Sequence, residues 1–275
     1  MTRRIAVVAA VLLAGVVAGA GAQPPDGNAV LRGAGVDLPR GGAPVAFDMG
    51  IQAPEPIPPT AFATLLVGMG PVGNAARIRN AYAFGVLAGR SARAVPPGPL
   101  AGAGVALLQM LVADHRPTRI AGMRVAGRVF AAPVDGGAAP MRPDGLAHGL
   151  VLLLDASNKD EEAAAMEAVG LVRETSVVPA LIERFRRYRE RGDREMATAA
   201  LEALARIGDP RAAEIAGQLA ADPWASRDDA TGLVWAFARE RFLKDGSATR
   251  LRAALEHRSL GPRARDYLLE LGLQP

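Results

Sequence analysis

The chain is built on a recurring unit of two short amphipathic helices, which residues 197–219, ATAALEALARIGDPRAAEIAGQL, show most clearly. Spacings of three and four residues place one set of apolar side chains on a single stripe of the first helix: Ala197, Ala200, Leu201, Leu204 and Ile207. Gly208 ends this helix, and Asp209-Pro210 caps and starts the second. Helices this short are not stable alone, so each must bury its stripe against neighbouring helices.

The unit recurs along the chain at a nearly constant spacing. An apolar anchor residue, followed four positions later by glycine or alanine, marks each copy, and the six anchors are Ala81, Met123, Met166, Leu201, Val234 and Leu268. Successive anchors are 42, 43, 35, 33 and 34 residues apart. Helix pairs at this spacing are typical of a stacked α-solenoid, in which each pair buries its apolar face on the next.

Residues 201–219, LEALARIGDPRAAEIAGQL, resemble the short bacterial type of HEAT repeat, and residues 166–185, MEAVGLVRETSVVPALIERF, keep the same frame. The resemblance covers roughly residues 60–273 and is strongest in these two central repeats. It implies an all-α fold, an α-α superhelix of about six antiparallel helix pairs over residues 60–275. It also implies a long concave surface, lined by the second helix of each pair, that holds a partner protein.

Glu202 and Arg206 lie four residues apart on the side of the first helix opposite the apolar stripe. An acid followed by a base at this spacing is typical of an exposed helix face, which the pair stabilises by a few tenths of a kcal/mol. We therefore expect both side chains in solvent. Glu202→Ala is then expected to change the free energy of unfolding by well under about 1 kcal/mol.

Residues 1–22 have the organisation of a secretory signal peptide. Arg3 and Arg4 form a positive start, Ile5–Ala18 an apolar run, and Ala20-Gly-Ala22 a small-residue cleavage pattern. We therefore expect export, cleavage after Ala22, and a mature protein that is periplasmic or secreted. A retained N-terminal anchor is the alternative, although the run is short for a membrane span. The sequence has no cysteine, which excludes disulfides and lipid attachment through an N-terminal cysteine.

Residues 23–59 are rich in proline and glycine. Because proline cannot continue a helix and favours extended backbone, we predict a flexible or polyproline-like arm here, followed by a helical domain over residues 60–275. Ala43–Ile51 is compatible with one short strand. Two further Pro/Gly-rich segments, Val95–Gly104 and Ala131–Gly145, are predicted to be loops between helices.

No group of residues in the sequence predicts catalysis, and we predict neither a cofactor nor a metal ion. His115, His148 and His257 belong to different repeats, and none shares a predicted helix with a carboxylate at the spacing of helical metal sites. No His-Glu dipeptide is present, whereas repeated His-Glu pairs binding a di-iron centre characterise the HEAT-like deoxyhypusine hydroxylases. That activity is therefore not transferred to this chain. A Gly-Lys-Ser/Thr phosphate loop is also missing.

The strongly charged stretch at residues 183–195, ERFRRYRERGDRE, contains six arginines and four acidic residues. Arg184, Arg187 and Arg191 fall on one side of the predicted helix, opposite its apolar stripe. They form a basic stripe suited to an acidic protein, an anionic lipid or another polyanion. The alternative is a solvated helix face on which neighbouring charges neutralise one another. Export and the lack of interleaved exposed aromatic residues argue against a nucleic-acid partner.

We predict that the protein is an exported, non-catalytic scaffold that binds a partner protein on the concave face of the solenoid, with no stable membrane insertion after signal cleavage. The predicted contact residues are Arg184, Arg187, Arg191, Glu214, Gln218, Arg252 and Glu256. The alternative is an enzyme or enzyme-accessory subunit with a site in the loops at Pro96–Gly102 and Ala131–Gly145. A purely structural role in the cell envelope is a third hypothesis.

Overall fold

The computed structural model is all-helical in the residues that it describes, which are 23–36, 57–71, 73–89, 95–133, 142–218 and 229–275. This confirms the prediction of an all-α fold. The described residues form thirteen α-helices: α1 (Gly27–Gly33), α2 (Pro59–Gly68), α3 (Asn74–Ala88), α4 (Pro97–Leu111), α5 (Arg116–Val129), α6 (Leu146–Leu153), α7 (Lys159–Leu171), α8 (Val178–Glu190), α9 (Arg194–Ile207), α10 (Ala212–Gln218), α11 (Asp229–Leu243), α12 (Ala248–Ala253) and α13 (Gly261–Glu270). A short 3₁₀ turn, Thr175–Val177, precedes α8.

Side chains and glycines set the ends of the central helices. Asn158 Oδ1 accepts the backbone N–H groups of Asp160 and Glu161 at 3.1 and 3.2 Å, which caps α7. Asp193 Oδ1 caps α9 in the same way, accepting the N–H of Met196 at 3.4 Å. Gly208 ends α9 with φ at +77°, a conformation that favours glycine because it has no Cβ.

Alternate helices stack on one another. Each of α3, α5, α7, α9 and α11 packs on the next, and we call these five helices the stacked row. The helices α2, α4, α6, α8 and α10, here called the flanking helices, each pack on the stacked-row helix that follows them in the chain. The last pair is α12 and α13, which pack on each other and on α11. The buried stripe predicted for α9 is confirmed, and Leu201 and Leu204 are fully buried.

Two glycines that follow anchors by four residues lie in direct contact with the next stacked-row helix. A Cβ on Gly127 of α5 would lie 2.8 Å from the Cα of Ala168 in α7. A Cβ on Gly170 of α7 would lie at the same distance from the Cα of Ala203 in α9. These glycines come four residues after the anchors Met123 and Met166, so the recurring small residue allows the backbones of successive helices to come into contact.

The helices pair differently from the sequence unit: the second helix of the unit, α10, is the first member of the next pair. In residues 197–219 the Gly-Asp-Pro break was expected to join two members of one pair. Instead, α9 packs extensively on α8, while α10 packs on α11 and makes only minor contact with α9. The break therefore separates two successive pairs, and Ala212 and Ile215 of α10 are buried.

The flexible arm predicted for residues 23–59 is wrong for its first part, which contains α1. Asp26 caps this helix by accepting the N–H of Asn28 at 3.1 Å, and Leu31 is fully buried. The helix packs on α2 and α3. Asn80 of α3 also donates from Nδ2 to the Pro25 carbonyl at 2.8 Å. Tertiary burial of Leu31 thus outweighs the low helix propensity of a Gly- and Pro-rich segment.

One of the two predicted loops is wrong as well. The segment Val95–Gly104 contains the first half of α4, which starts at Pro97 because proline is favoured in the first turn, where no backbone N–H is needed. The other, Ala131–Gly145, is described only at its ends, where Ala132 donates its N–H to the Leu171 carbonyl at 2.9 Å. The expected signal peptide at residues 1–22 and the strand at Ala43–Ile51 lie outside the described residues.

No helix in the described ranges is both long enough and apolar enough to cross a membrane.

Candidate binding groove

An open groove with a volume of about 470 Å³ runs across the stacked row. We call it the stacked-row groove. Its lining comes from α5, α7, α9, α11 and α13: Arg124, Ala163, Glu167, Arg194, Glu195, Thr198, Ala199, Glu202, Ala230, Thr231 and Arg263. No flanking helix contributes a lining residue, so the groove lies on the face of the row that is turned away from them.

Small side chains keep the groove open. Ala163, Ala199 and Ala230 line it from three successive helices, α7, α9 and α11, and each is partly exposed. Thr198 lies beside Ala199 on α9, and its Oγ1 is buried with no hydrogen-bond partner in the described residues. An enclosed hydroxyl of this kind carries a desolvation cost until a partner group satisfies it.

The lining carries equal numbers of positive and negative side chains. Arg124 of α5 and Glu167 of α7 form a loose pair, with Nε and Oε2 3.7 Å apart and both side chains about two-fifths exposed. Such an exposed pair contributes little to stability. Arg194 and Glu195 stand in the first turn of α9, where the Asp193 cap fixes the start of the helix.

Beneath the groove lies an ionic cluster centred on Glu202. Its Oε1 accepts hydrogen bonds from the Tyr267 hydroxyl at 2.5 Å and lies 2.8 Å from Arg206 Nη2. Its Oε2 accepts from Arg263 Nη2 at 3.1 Å. Arg206 Nε in turn lies 3.5 Å from Glu270 Oε1. We call Glu202, Arg206, Arg263, Tyr267 and Glu270 the Glu202 cluster, and it fastens α13 to α9.

The prediction that Glu202 and Arg206 face solvent is wrong. Their exposed fractions are only 7% and 6%. Helix α13 covers this side of α9 and supplies the partners that make burial of two charges tolerable. The i,i+4 spacing was correctly interpreted as an ion pair, but the pair lies in the interior of the protein.

The electrostatics of the Glu202 cluster favour one protonation state. Burial alone would lower the pKa of the Arg206 guanidinium, but the carboxylates of Glu202 and Glu270 outweigh it and raise that pKa above its ordinary value. Burial, followed by the Glu202 carboxylate, raises the pKa of the Tyr267 hydroxyl well above its usual range. Arg206 is therefore charged and Tyr267 is a neutral donor at every physiological pH.

A second cluster of the same composition joins α7 to α8. Glu162 Oε1 accepts from Arg184 Nε at 3.0 Å, and Glu162 Oε2 accepts from the Tyr188 hydroxyl. Arg184 Nη2 also donates to the Leu154 carbonyl at 3.0 Å and to Asp155 Oδ1 at 2.5 Å. In both clusters the tyrosine follows an arginine by four residues, as Arg184/Tyr188 and Arg263/Tyr267 do, and both reach a glutamate on a stacked-row helix.

The predicted contact residues do not line the stacked-row groove. Arg184 was expected on the exposed side of its helix, but only 8% of it is exposed, because its guanidinium is used by Glu162. Arg187 is 39% exposed, and its guanidinium carbon lies 5.1 Å from the centre of the Tyr188 ring. The basic stripe therefore lacks its first member.

The other five predicted residues lie on or next to helices outside the stacked row. Arg191 is the exposed residue that caps the end of α8, Glu214 is exposed on α10, and Gln218 ends α10. Arg252 is exposed on α12, and Glu256 is exposed in the turn after it. These residues were predicted as members of second helices, but in the structure the second helix of each of these pairs is not the helix that carries them.

The groove residues missed by sequence reasoning have a simple signal. Arg124, Glu167 and Glu202 each directly follow an anchor, namely Met123, Met166 and Leu201. Ala163, Thr198 and Thr231 each precede an anchor by three residues. The groove is therefore lined at two equivalent positions of successive repeats.

The described ranges contain no group of three His, Asp or Glu side chains placed to hold a metal ion. No protein-family model matches the chain, and no curated protein is significantly similar to it.

Proposed function

We propose that this protein is an exported HEAT-like α-solenoid that binds an extended segment of a partner polypeptide in the stacked-row groove, without chemistry on that segment. The regular spacing of the six anchors supports the solenoid, as does the packing of the stacked row, in which each helix contacts the next. In such an array the six pairs α2/α3, α4/α5, α6/α7, α8/α9, α10/α11 and α12/α13 are the repeats. The stacked row then forms the concave face.

The observation that carries this proposal is the use of equivalent repeat positions in one groove. Arg124, Glu167 and Glu202 supply one line of charged groups, and Ala163, Thr198 and Thr231 supply a second line of small side chains, two of which carry hydroxyls. Adjacent packed helices are about 8–10 Å apart, which corresponds to roughly three residues of extended chain. A groove with groups recurring at that interval suits a partner whose own backbone groups recur regularly, as in an extended peptide.

The chemistry of the lining agrees with this class of ligand. Arginine side chains donate hydrogen bonds to backbone carbonyls, and glutamates accept them from backbone N–H groups. The lining has no net charge, so it does not favour a strongly acidic or basic segment. From α5 to α11 the row spans about 24–30 Å, enough for roughly seven to nine extended residues.

Export rests on the signal-like pattern of residues 1–22 and would place the partner in the periplasm or outside the cell. Ala22 is the expected cleavage position.

The direct test is site-specific photo-cross-linking in cells that express the full chain. A photoreactive residue at Ala199 probes the groove, and one at Ser176, which is exposed on the turn before α8, is the matched control. We expect polypeptide adducts from position 199 and none from position 176. Mass spectrometry of the adduct identifies the bound segment, which can then be synthesised.

Affinity for that segment is the second part of the test. Arg124→Glu is expected to raise its Kd at least about tenfold, since one charged groove contact becomes repulsive. Arg191→Glu makes the same charge change outside the groove and is expected to leave the Kd unchanged. Equal adducts from both cross-linking positions, or equal effects of the two substitutions, would show that the groove is not the binding site.

A further inference from the structure

Three neighbouring flanking helices have an unusual composition, because their one ionisable side chain is the exposed His148 of α6. Helices α2, α4 and α6 contain no Asp, Glu, Lys or Arg, although these residues make up 22% of the chain. The next flanking helix, α8, has six charged residues among its thirteen. Helix α2 packs on α4, and α4 packs on α6, so the three form one continuous surface. We call their outer surface the uncharged face.

Large apolar side chains are exposed on this face. Val67 on α2, Val112 at the end of α4 and Leu152 on α6 are 52, 82 and 61% exposed. Only two other large hydrophobic residues in the described ranges are exposed, Leu243 and Leu269, at 38 and 44%. A concentration of exposed apolar groups on three adjoining helices is typical of a surface that another molecule covers.

Helices α2, α4 and α6 pack closely on one another, so loose packing between them does not explain the exposed apolar side chains. A Cβ on Gly102 of α4 would come within 2.4 Å of Leu66 in α2, and one on Gly149 of α6 within 3.3 Å of Leu111 in α4. Val67, Val112 and Leu152 are therefore exposed on helices that are well packed against one another.

The size of the face suits a protein interface. Three helices packed about 10 Å apart, with α4 about 22 Å long, present roughly 500–600 Å² in projection. The accessible area of such a ridged surface is larger than its projection. It therefore approaches the roughly 800 Å² per partner that a stable interface buries.

We propose that the uncharged face is the interface between two copies of this chain. A two-fold contact places each surface against itself, so that like charges oppose one another wherever the surface is charged. A face to which the helices contribute no Asp, Glu, Lys or Arg avoids the penalty from those charges, and their absence matches the core of protein interfaces. Membrane surfaces instead select exposed Trp, Tyr, Lys and Arg, and none of these occurs in α2, α4 or α6.

The proposed dimer leaves the binding groove accessible. The uncharged face belongs to flanking helices, whereas the stacked-row groove lies on the side of the row away from them. Two copies joined in this way would present two grooves on opposite sides of one particle. The dimer does not depend on peptide binding and can be tested without a ligand.

The test is the mass of the purified full-length protein in solution, measured by sedimentation equilibrium and light scattering between about 1 and 100 μM. We expect twice the mass of the single chain for the wild type, where the chain mass is 28.5 kDa if the leader is retained. Val112→Arg and Leu152→Arg are expected to give monomers, or to raise the dimer dissociation constant at least tenfold. Both side chains are exposed, so the fold should survive, and circular dichroism verifies that it does.

Leu269→Arg is the matched control, because it introduces the same charge at an exposed leucine on α13, away from the uncharged face. It is expected to remain dimeric. A wild type that is monomeric at all concentrations overturns the proposal, as do face variants that dimerise like the wild type. A monomer that binds uncharged phosphatidylcholine vesicles, and loses this binding in Val112→Arg, would assign the face to a lipid surface instead.

Discussion

The sequence pattern and the structure predict very different losses of stability when the Glu202 carboxylate is removed. As an exposed member of an i,i+4 pair, Glu202 would contribute well under about 1 kcal/mol. In the folded protein it lies 2.8 Å from Arg206 Nη2 and accepts hydrogen bonds from Tyr267 and Arg263. Glu202→Ala leaves Arg206 buried with the longer contact to Glu270, at 3.5 Å, and leaves the buried Tyr267 hydroxyl without this acceptor.

The expected cost can be worked from these contacts. Breaking a buried ion pair by removing one partner costs about 3–5 kcal/mol, because the other charge stays in the interior. The bond from Arg263 adds little, since that side chain is 46% exposed and water screens its charge. We therefore expect Glu202→Ala to lower the free energy of unfolding by about 3–5 kcal/mol.

Urea denaturation followed by circular dichroism measures this loss. With an m-value of about 3 kcal/mol/M, the midpoint should fall by roughly 1–1.7 M. Glu183→Ala removes an exposed glutamate from α8 and should shift the midpoint by less than about 0.2 M. Glu202→Gln, which keeps an acceptor for Tyr267, should fall between the two. If Glu202→Ala behaves like Glu183→Ala, the cluster does not hold α13 to α9 and the reasoning is refuted.

Three further outcomes are expected. Gly170→Val should destabilise the protein by about 1–3 kcal/mol in the same assay, because a Cβ there would meet the backbone of Ala203 at 2.8 Å; an unchanged midpoint would contradict the close helix contact. The Arg211 side chain lowers the pKa of Asp209 from 3.8 to about 2. The ion pair between Asp209 and Arg211 therefore stabilises the folded protein above pH 3.8, and this stabilisation is lost as the pH falls towards 2. The stability difference between the wild type and Asp209→Asn should therefore shrink over that range, and a constant difference would argue against the pair. N-terminal sequencing of the protein recovered from the cell envelope or medium should begin at Gln23, whereas an intact Met1 would indicate a retained leader.

The sequence predicted the helices and their period because both depend on local patterns. The apolar stripe of α9, its end at Gly208 and the recurrence of the anchors follow from residues a few positions apart. Which helices pack together does not follow from such patterns. The Gly-Asp-Pro break looks the same whether it joins two members of a pair or separates two pairs, and only the packing of α10 on α11 decides between them.

Burial of charge was the other property that a local pattern could not reveal. The local sequence predicts that Arg206 is a surface residue. In the structure α13, more than fifty residues later in the chain, places Glu270 beside it. Arg184 is buried for the same reason, because Glu162 lies on another helix. The two Arg-x-x-x-Tyr sequences, at Arg184 and Arg263, were the available signal for both clusters. Part of the groove lining could also have been predicted from the sequence, since Arg124 and Glu167 directly follow anchors of the repeat.

The fastening of α13 to α9 bears on how the molecule opens. The end units of a linear array are usually the first to fray, since each contacts a neighbour on one side only. Here the terminal helix cannot detach alone, because its release would strand two buried charges on a helix in the middle of the chain. Backbone amides of α9 and α13 should consequently exchange with solvent together, whereas those of α1, at the other end of the described helices, should exchange earlier.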